Sequence, residues 1–232
     1  DEDHCLFTQP AQDGSPIFLI IYVDDMLLSR RHTGELAEHV LGMKISRNCN
    51  RQQLCFSQID YIGRVLELFN MQSAKSALIP LPINLRLSQR DCPTSSPEGE
   101  DMKSVPYAPA VGYLMYVMVA TWPDIAHAIG VVGRFMHNPG QSHWNAFKHV
   151  FRYLAGTKDH GILFGPNKTS GVVGYTNSEF AGCVDSRKST TKYSFKFGNG
   201  EISWKSKLLE CTATSMTEAE YIVASNAAEE AL

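Results

Sequence analysis

Two adjacent carboxylates, Asp24 and Asp25, follow a continuous apolar run, Ile17 to Val23. Like charges at the end of a hydrophobic segment repel unless a cation compensates them. Hard divalent ions prefer carboxylate oxygen, and two Mg²⁺ ions about 3.5–4 Å apart clamp the attacking and leaving oxygens of phosphoryl transfer on nucleotides. An Asp-Asp pair also makes an ordinary polar hairpin turn, so the dipeptide alone leaves both chemistries open. Six cysteines, at 5, 49, 55, 92, 183 and 211, have neither a CxxC pair nor matching histidine spacing. That argues against a zinc site and against a disulfide framework, and it fits a reducing, intracellular setting.

The elements that must position the acidic pair are legible in the periodicity. Pro16 to Val23 and Met26 to Leu28 read as two strands around a tight turn with Asp24-Asp25 at its tip. Leu41 to Ile45 and Leu54 to Phe56 predict two more strands. Ile59, Ile62, Val65, Leu66 and Phe69 recur at helical spacing behind Ser57, which predicts an amphipathic helix over 57–70 with Ser57 as cap. Residues 85–109 hold four prolines, at 93, 97, 106 and 109, and read as a linker.

Beyond it the pattern predicts helices over 111–120, from Pro123 with Ile125, Ile129, Val132 and Phe135 on one face, and over 142–155. The last has Ser142 as cap, a stripe of Trp144, Phe147, Phe151 and Leu154, and Gly156 where a C-terminal cap belongs. Such stripes form cores far more often than cofactor sites. Strands follow at 172–176, 192–197 and 201–205, and a final helix opens near Thr217 with Glu220 three residues on, in capping-box form. Together these elements predict an α+β (mixed α/β) chain.

Composition sets the bounds. With 232 residues, 44% of them hydrophobic, the chain can bury one large core or two modest ones. The apolar runs are too short to span a bilayer, and Asp1-Glu2-Asp3-His4 lacks the basic flank of a signal peptide, so neither a membrane partner nor export is expected. The net charge of -3 divides unevenly: residues 1–140 carry -4, residues 141–210 carry +5 and residues 211–232 carry -4. The middle block either meets a phosphate backbone or is an ordinary solvated face.

The letters around the acidic pair narrow the chemistry. Phe18-Leu-Ile-Ile-Tyr-Val-Asp-Asp-Met-Leu-Leu28 resembles the YVDD hairpin of reverse transcriptases in its copia-type form. Ordered matches continue through Leu41-Gly42-Met43-Lys44-Ile45, Trp122-Pro123-Asp124-Ile125, His143-Trp144, Arg152-Tyr153-Leu154-Ala155-Gly156-Thr157, Ile202-Ser203-Trp204-Lys205-Ser206-Lys207 and Thr217-Glu218-Ala219-Glu220-Tyr221. The chain is thus similar, over nearly all its residues, to the Pol polyprotein of copia-type long-terminal-repeat retrotransposons, from the end of the reverse transcriptase to the start of ribonuclease H.

The resemblance implies a division into a palm remnant over 1–84, the Pro-rich linker over 85–109, a helical thumb or connection region over 110–165, and a truncated ribonuclease H-like sheet with helix over 170–232. It implies Mg²⁺ as cofactor, with Asp24 and Asp25 as polymerase ligands and a third aspartate expected upstream of Asp1. Template-primer or RNA–DNA hybrid, near Tyr22, Lys205 and Lys207, and the rest of the polyprotein are the implied partners. The implied location is cytoplasmic, in a virus-like particle, and nuclear.

It also implies departures. The family's hairpin is followed by an amphipathic helix, whereas Ser29 to Leu36 almost joins the hairpin to the next strand, so roughly four to five helical turns are missing. The family's first nuclease strand reads Tyr-x-Asp-x-Asp-x-Ala-Gly; here it is Tyr175-Thr-Asn177-Ser-Glu179-Phe-Ala181-Gly182. Asn177 stands where the first catalytic aspartate belongs and supplies no charge to a metal. Glu218 matches the second catalytic carboxylate and equally suits a first-turn glutamate favoured by the helix dipole. Lys205 and Lys207 suit a hybrid's backbone or an edge strand guarded against aggregation. Three functions follow: a Pol fragment inactive alone, a polymerase or nuclease completed by other segments, and a non-catalytic nucleic-acid-binding module.

Overall fold

In a computed structural model of the chain, residues 6–10, 16–22, 25–29, 39–166 and 171–231 are described. They form three antiparallel sheets and six α-helices, an α+β arrangement. The first sheet joins β1 (Leu6–Pro10), β2 (Pro16–Tyr22) and β3 (Asp25–Ser29) in that order. Strands β2 and β3 pair as the apolar run predicts, except that Asp25 is the first residue of β3 and not at a turn tip, whereas β1, too short and mixed to signal itself, pairs along β2 from Leu6↔Ile20 to Pro10↔Pro16.

The second sheet runs β4 (His39–Val40), β5 (Met43–Asn48), β6 (Gln53–Ser57) and β7 (Ile162–Phe164). Leu41 and Gly42 do not begin a strand as their apolar neighbours suggested. Their φ angles of 51° and 69° make a two-residue turn whose twist suits a tight hairpin.

Four helices build the main core: α1 (Ile59–Leu68), α3 (Tyr107–Ala120), α4 (Ala126–Val132) and α5 (Gln141–Thr157), with α2 (Ser96–Lys103) before the second of them. Ile62, Leu114, Val132, Phe147 and Phe151 are wholly buried there, each burial contributing about 1.5–3 kcal/mol. Helix α1 is shorter than the expected 57–70 and has Gln58, not Ser57, at its N-cap; Ser57 Oγ, one residue earlier, accepts the Ile59 N–H at 3.2 Å.

The stretch read as a linker is part of this core. Leu87 and Tyr107 belong to the buried cluster, and the Tyr107 hydroxyl donates to the Val132 carbonyl at 2.8 Å. Three of its four prolines mark helix starts: Pro97 lies in the first turn of α2, Pro106 flanks α3 and Pro109 is its third residue.

Helix α5 is also entered and left differently from the expectation. It opens after Gly140, whose N–H is accepted by His143 Nδ1 at 2.9 Å, and Ser142 does not cap it. Gly156 lies inside the helix, and a Cβ there would stand 2.7 Å from Ser76 Cβ. Close approach, not a C-terminal cap, accounts for that glycine.

The third sheet has the order β8 (Val173–Glu179), β9 (Thr190–Phe197), β10 (Gly200–Leu208), followed by α6 (Met216–Glu230). One face meets the helical core, where Trp204 Nε1 donates to the Met118 carbonyl at 2.9 Å. The other carries α6, with the Tyr193 hydroxyl and Ser203 Oγ both donating to the Glu230 carboxylate, at 2.8 and 2.6 Å.

Candidate functional site

At the hairpin, Tyr22 pairs with Asp25 across β2 and β3, so the backbone carries these two residues opposite one another. Only their backbone is described, and Asp24 lies outside the described residues.

At the nuclease end the side chains can be followed. In an antiparallel sheet, directly opposed residues share a face and successive residues along a strand take opposite faces. Asn177, Lys192 and Ser206 form one cross-strand row, and Thr176, Tyr193 and Lys205 form the next. Tyr193 reaches Glu230 on α6, so its row faces that helix, and the Asn177 row faces α4. There Glu179, two residues beyond Asn177 on the same face, approaches Lys192 Nζ at 3.6 Å and His127 Nε2 at 3.8 Å. Burial and the nearby Lys192 ammonium hold His127 below the ordinary imidazole range.

A cavity of about 370 Å³ lies beside this row, lined among others by Asn177, Lys192, His127, Tyr175, Trp204 and Asp124. Burial pushes the Asp124 carboxyl up, and the Tyr153 hydroxyl donates to it.

Glu218 lies elsewhere. It is in the first turn of α6, on the opposite side of the sheet from the Asn177 row, and its Oε2 accepts from Thr214 N at 2.7 Å and Thr214 Oγ1 at 2.6 Å. Those bonds to the charged form hold its carboxyl below the usual range. Ser215 Oγ in turn accepts the Glu218 N–H at 3.1 Å. Ser215 is therefore the N-cap of α6, with Glu218 bonding the residue before it, so the helix opens two residues before the Thr217-x-x-Glu220 read from the sequence.

Lys205 and Lys207 stand on the α6 face with Tyr193 and Thr191. Lys207 pairs with Glu210 at 2.7 Å, and Lys205 lies near enough to Glu230 to help hold that carboxyl low. Elsewhere in the basic block Lys196 pairs with Glu201 at 3.0 Å, and Arg152 Nε donates to the Lys75 carbonyl at 2.7 Å. Much of the +5 charge is thus engaged within the fold.

The described residues at this end do not fit a two-metal centre. Asn177 offers a neutral amide, Glu218 is across the sheet, and no group of three or more His, Cys, Asp or Glu among the described residues is arranged to hold an ion. His127 and Lys192 had not stood out in the sequence. A lone histidine in an apolar helix and a lysine in a strand carry no spacing signal, and only the pairing of β8 with β9 brings them to Glu179.

The chain is 45% identical over 246 residues to the retrovirus-related Pol polyprotein from transposon TNT 1-94 of Nicotiana tabacum, covering 98% of this chain. It is 32% identical over 233 residues, 93% of the chain, to the retrovirus-related Pol polyprotein from transposon RE2 of Arabidopsis thaliana. The chain is thus similar, over nearly its whole length, to members of the retrovirus-related Pol polyprotein family of transposons.

It spans 18% of the tobacco polyprotein and 16% of the Arabidopsis one. The tobacco alignment is longer than the chain, 246 against 232 residues, so that Pol polyprotein has residues in the matched stretch that this chain lacks. A protein of Plasmopara viticola named secreted RxLR effector protein 161 is 47% identical over 131 residues, 56% of the chain and 92% of the effector. No family model matches the chain, and no solved structure matches it. Among the described residues no helix is long and apolar enough to cross a membrane.

Proposed function

We propose that the chain is the part of a copia-type Pol polyprotein that joins the end of the reverse-transcriptase palm to the start of ribonuclease H, and that it catalyses neither reaction alone. The observation that carries this is Asn177. It occupies the position at which the family has an aspartate, in a row shared with Lys192 and facing away from Glu218. A neutral amide and a distant, capped glutamate do not supply the charge that paired Mg²⁺ ions need.

The family partners, template-primer, RNA–DNA hybrid and the remainder of Pol, belong to this reading, as do Mg²⁺ and a cytoplasmic or nuclear setting. Binding of nucleic acid through Lys205 and Lys207 is the weaker reading, because acidic residues neighbour both lysines on the α6 face.

Incubating the purified chain with Mg²⁺ and a labelled RNA–DNA hybrid or primer-template tests the proposal. Neither cleavage nor extension is expected. Activity that Glu218→Gln or Asp24→Asn abolishes would overturn it.

A further inference from the structure

The sheet face that carries Asn177 contains its own cation. Lys192 sits on the central strand, directly opposite Asn177, and its Nζ lies 3.6 Å from Glu179 Oε2. Both side chains are partly shielded, at 31% and 40% exposure, so the pair is less screened than one in open water. Glu179 is held beside Gly182, where an added Cβ would meet its Oε1 at 2.7 Å. His127 approaches the same carboxylate oxygen at 3.8 Å, and Arg134 adds positive potential at His127.

We infer that the Lys192 ammonium takes the electrostatic role of a divalent cation at this face, neutralising Glu179 and closing the Asn177 row to metal. The inference rests on the reading that Asn177 stands at a metal-ligand position, and it goes further by explaining why restoring one carboxylate does not restore a metal site. An aspartate at 177 would face Lys192 across the ladder, so the ammonium would neutralise the new charge as well. A divalent ion entering there would meet like charge from Lys192 and Arg134 before gaining any ligand.

Mn²⁺ binding, followed by electron paramagnetic resonance, tests this on the full chain. The wild-type chain and Asn177→Asp are expected to bind Mn²⁺ at this face only weakly, whereas Asn177→Asp with Lys192→Met binds it at least tenfold tighter than either. Equal affinity of the single and double variants overturns the inference, as does a folded double variant that gains nothing. Should the double variant fail to fold, the wild-type chain decides: tight Mn²⁺ binding lost on Glu179→Gln overturns the inference, and its absence upholds it. Hybrid cleavage is scored separately. A wild-type chain that cleaves hybrid yet shows no Glu179-dependent Mn²⁺ would remove the proposed inactivity and leave the role of Lys192 standing.

Discussion

Thr121 donates its hydroxyl to Gln58 Oε1 at 2.7 Å in a fully buried contact, tying the residue after α3 to the residue before α1. Both side chains are almost wholly enclosed, so neither can exchange its partner for solvent. Thr121→Val keeps the shape and strips the donor, which is expected to cost about 1–3 kcal/mol, the usual penalty for an unsatisfied buried group. Urea unfolding should place the variant well below wild type and Thr121→Ser close to it. Equal midpoints for valine and threonine would refute this role.

His143 gives the fold an acid limit. It is fully buried, its Nδ1 accepts from Gly140 and its Nε2 faces the Ser88 carbonyl at 3.3 Å, so the neutral ring protonated at Nε2 fits both partners. Burial pushes its pKa below the ordinary 6.5, against smaller upward pulls from Ser88, Asp91 and Asp185. The unfolded chain therefore takes the proton first. The stability tied to this ring is complete above about pH 6.5 and falls as pH drops below it, by no more than about 1.4 kcal/mol per pH unit. His127 is pushed down as well, so the decisive measurement is a difference: thermal midpoints between about pH 7 and 5 should fall less steeply for His143→Gln than for wild type.

At Gly156 two effects oppose each other. Alanine inside a helix is favoured over glycine by about 1 kcal/mol. Its Cβ, however, would stand 2.7 Å from Ser76 Cβ, and Ser76 cannot retreat easily. The Lys75 carbonyl accepts from Arg152 Nε and the Ala77 N–H donates to the Arg152 carbonyl, so α5 grips that loop on both sides of the serine. Gly156→Ala is expected to lose stability on urea unfolding and to recover part of it with Ser76→Gly. A more stable single variant would show that the loop gives way.

Glu218 offers a contrast between two roles. As a cap acceptor for Thr214 it supports the start of α6, and Glu218→Gln should lower the thermal midpoint more than Glu220→Gln does. Its folded pKa is depressed, so this support is present above the unfolded value near 4.5 and is lost as pH falls through the lower folded value. If the two glutamine variants melt alike at neutral pH, the cap contributes nothing measurable.

Most strands and helices were legible because their apolar spacing is strong: Ile125, Ile129, Val132 and Phe135 are all buried as their period demands. The 85–109 stretch was not, since proline marks both a linker and a first helical turn, and only the packing of Leu87 and Tyr107 separates the two. Strand β7 was equally silent: three residues that pair with β6 from more than a hundred positions away leave no local period. At the nuclease end Asn177 was readable as a missing acid, but the cation beside it was not. Lys192 meets Glu179 through strand register, which a motif does not encode.

Asp185 accepts the Gln89 N–H with both carboxylate oxygens, at 3.1 Å each, across 96 positions of sequence. During synthesis the turn at 88–91 therefore emerges long before the loop that holds it, and α1 to α5 must first associate without that clasp. Contacts of such long sequence separation slow folding. A ribosome-bound chain that stops short of Asp185 should leave the Gln89 N–H open to hydrogen exchange.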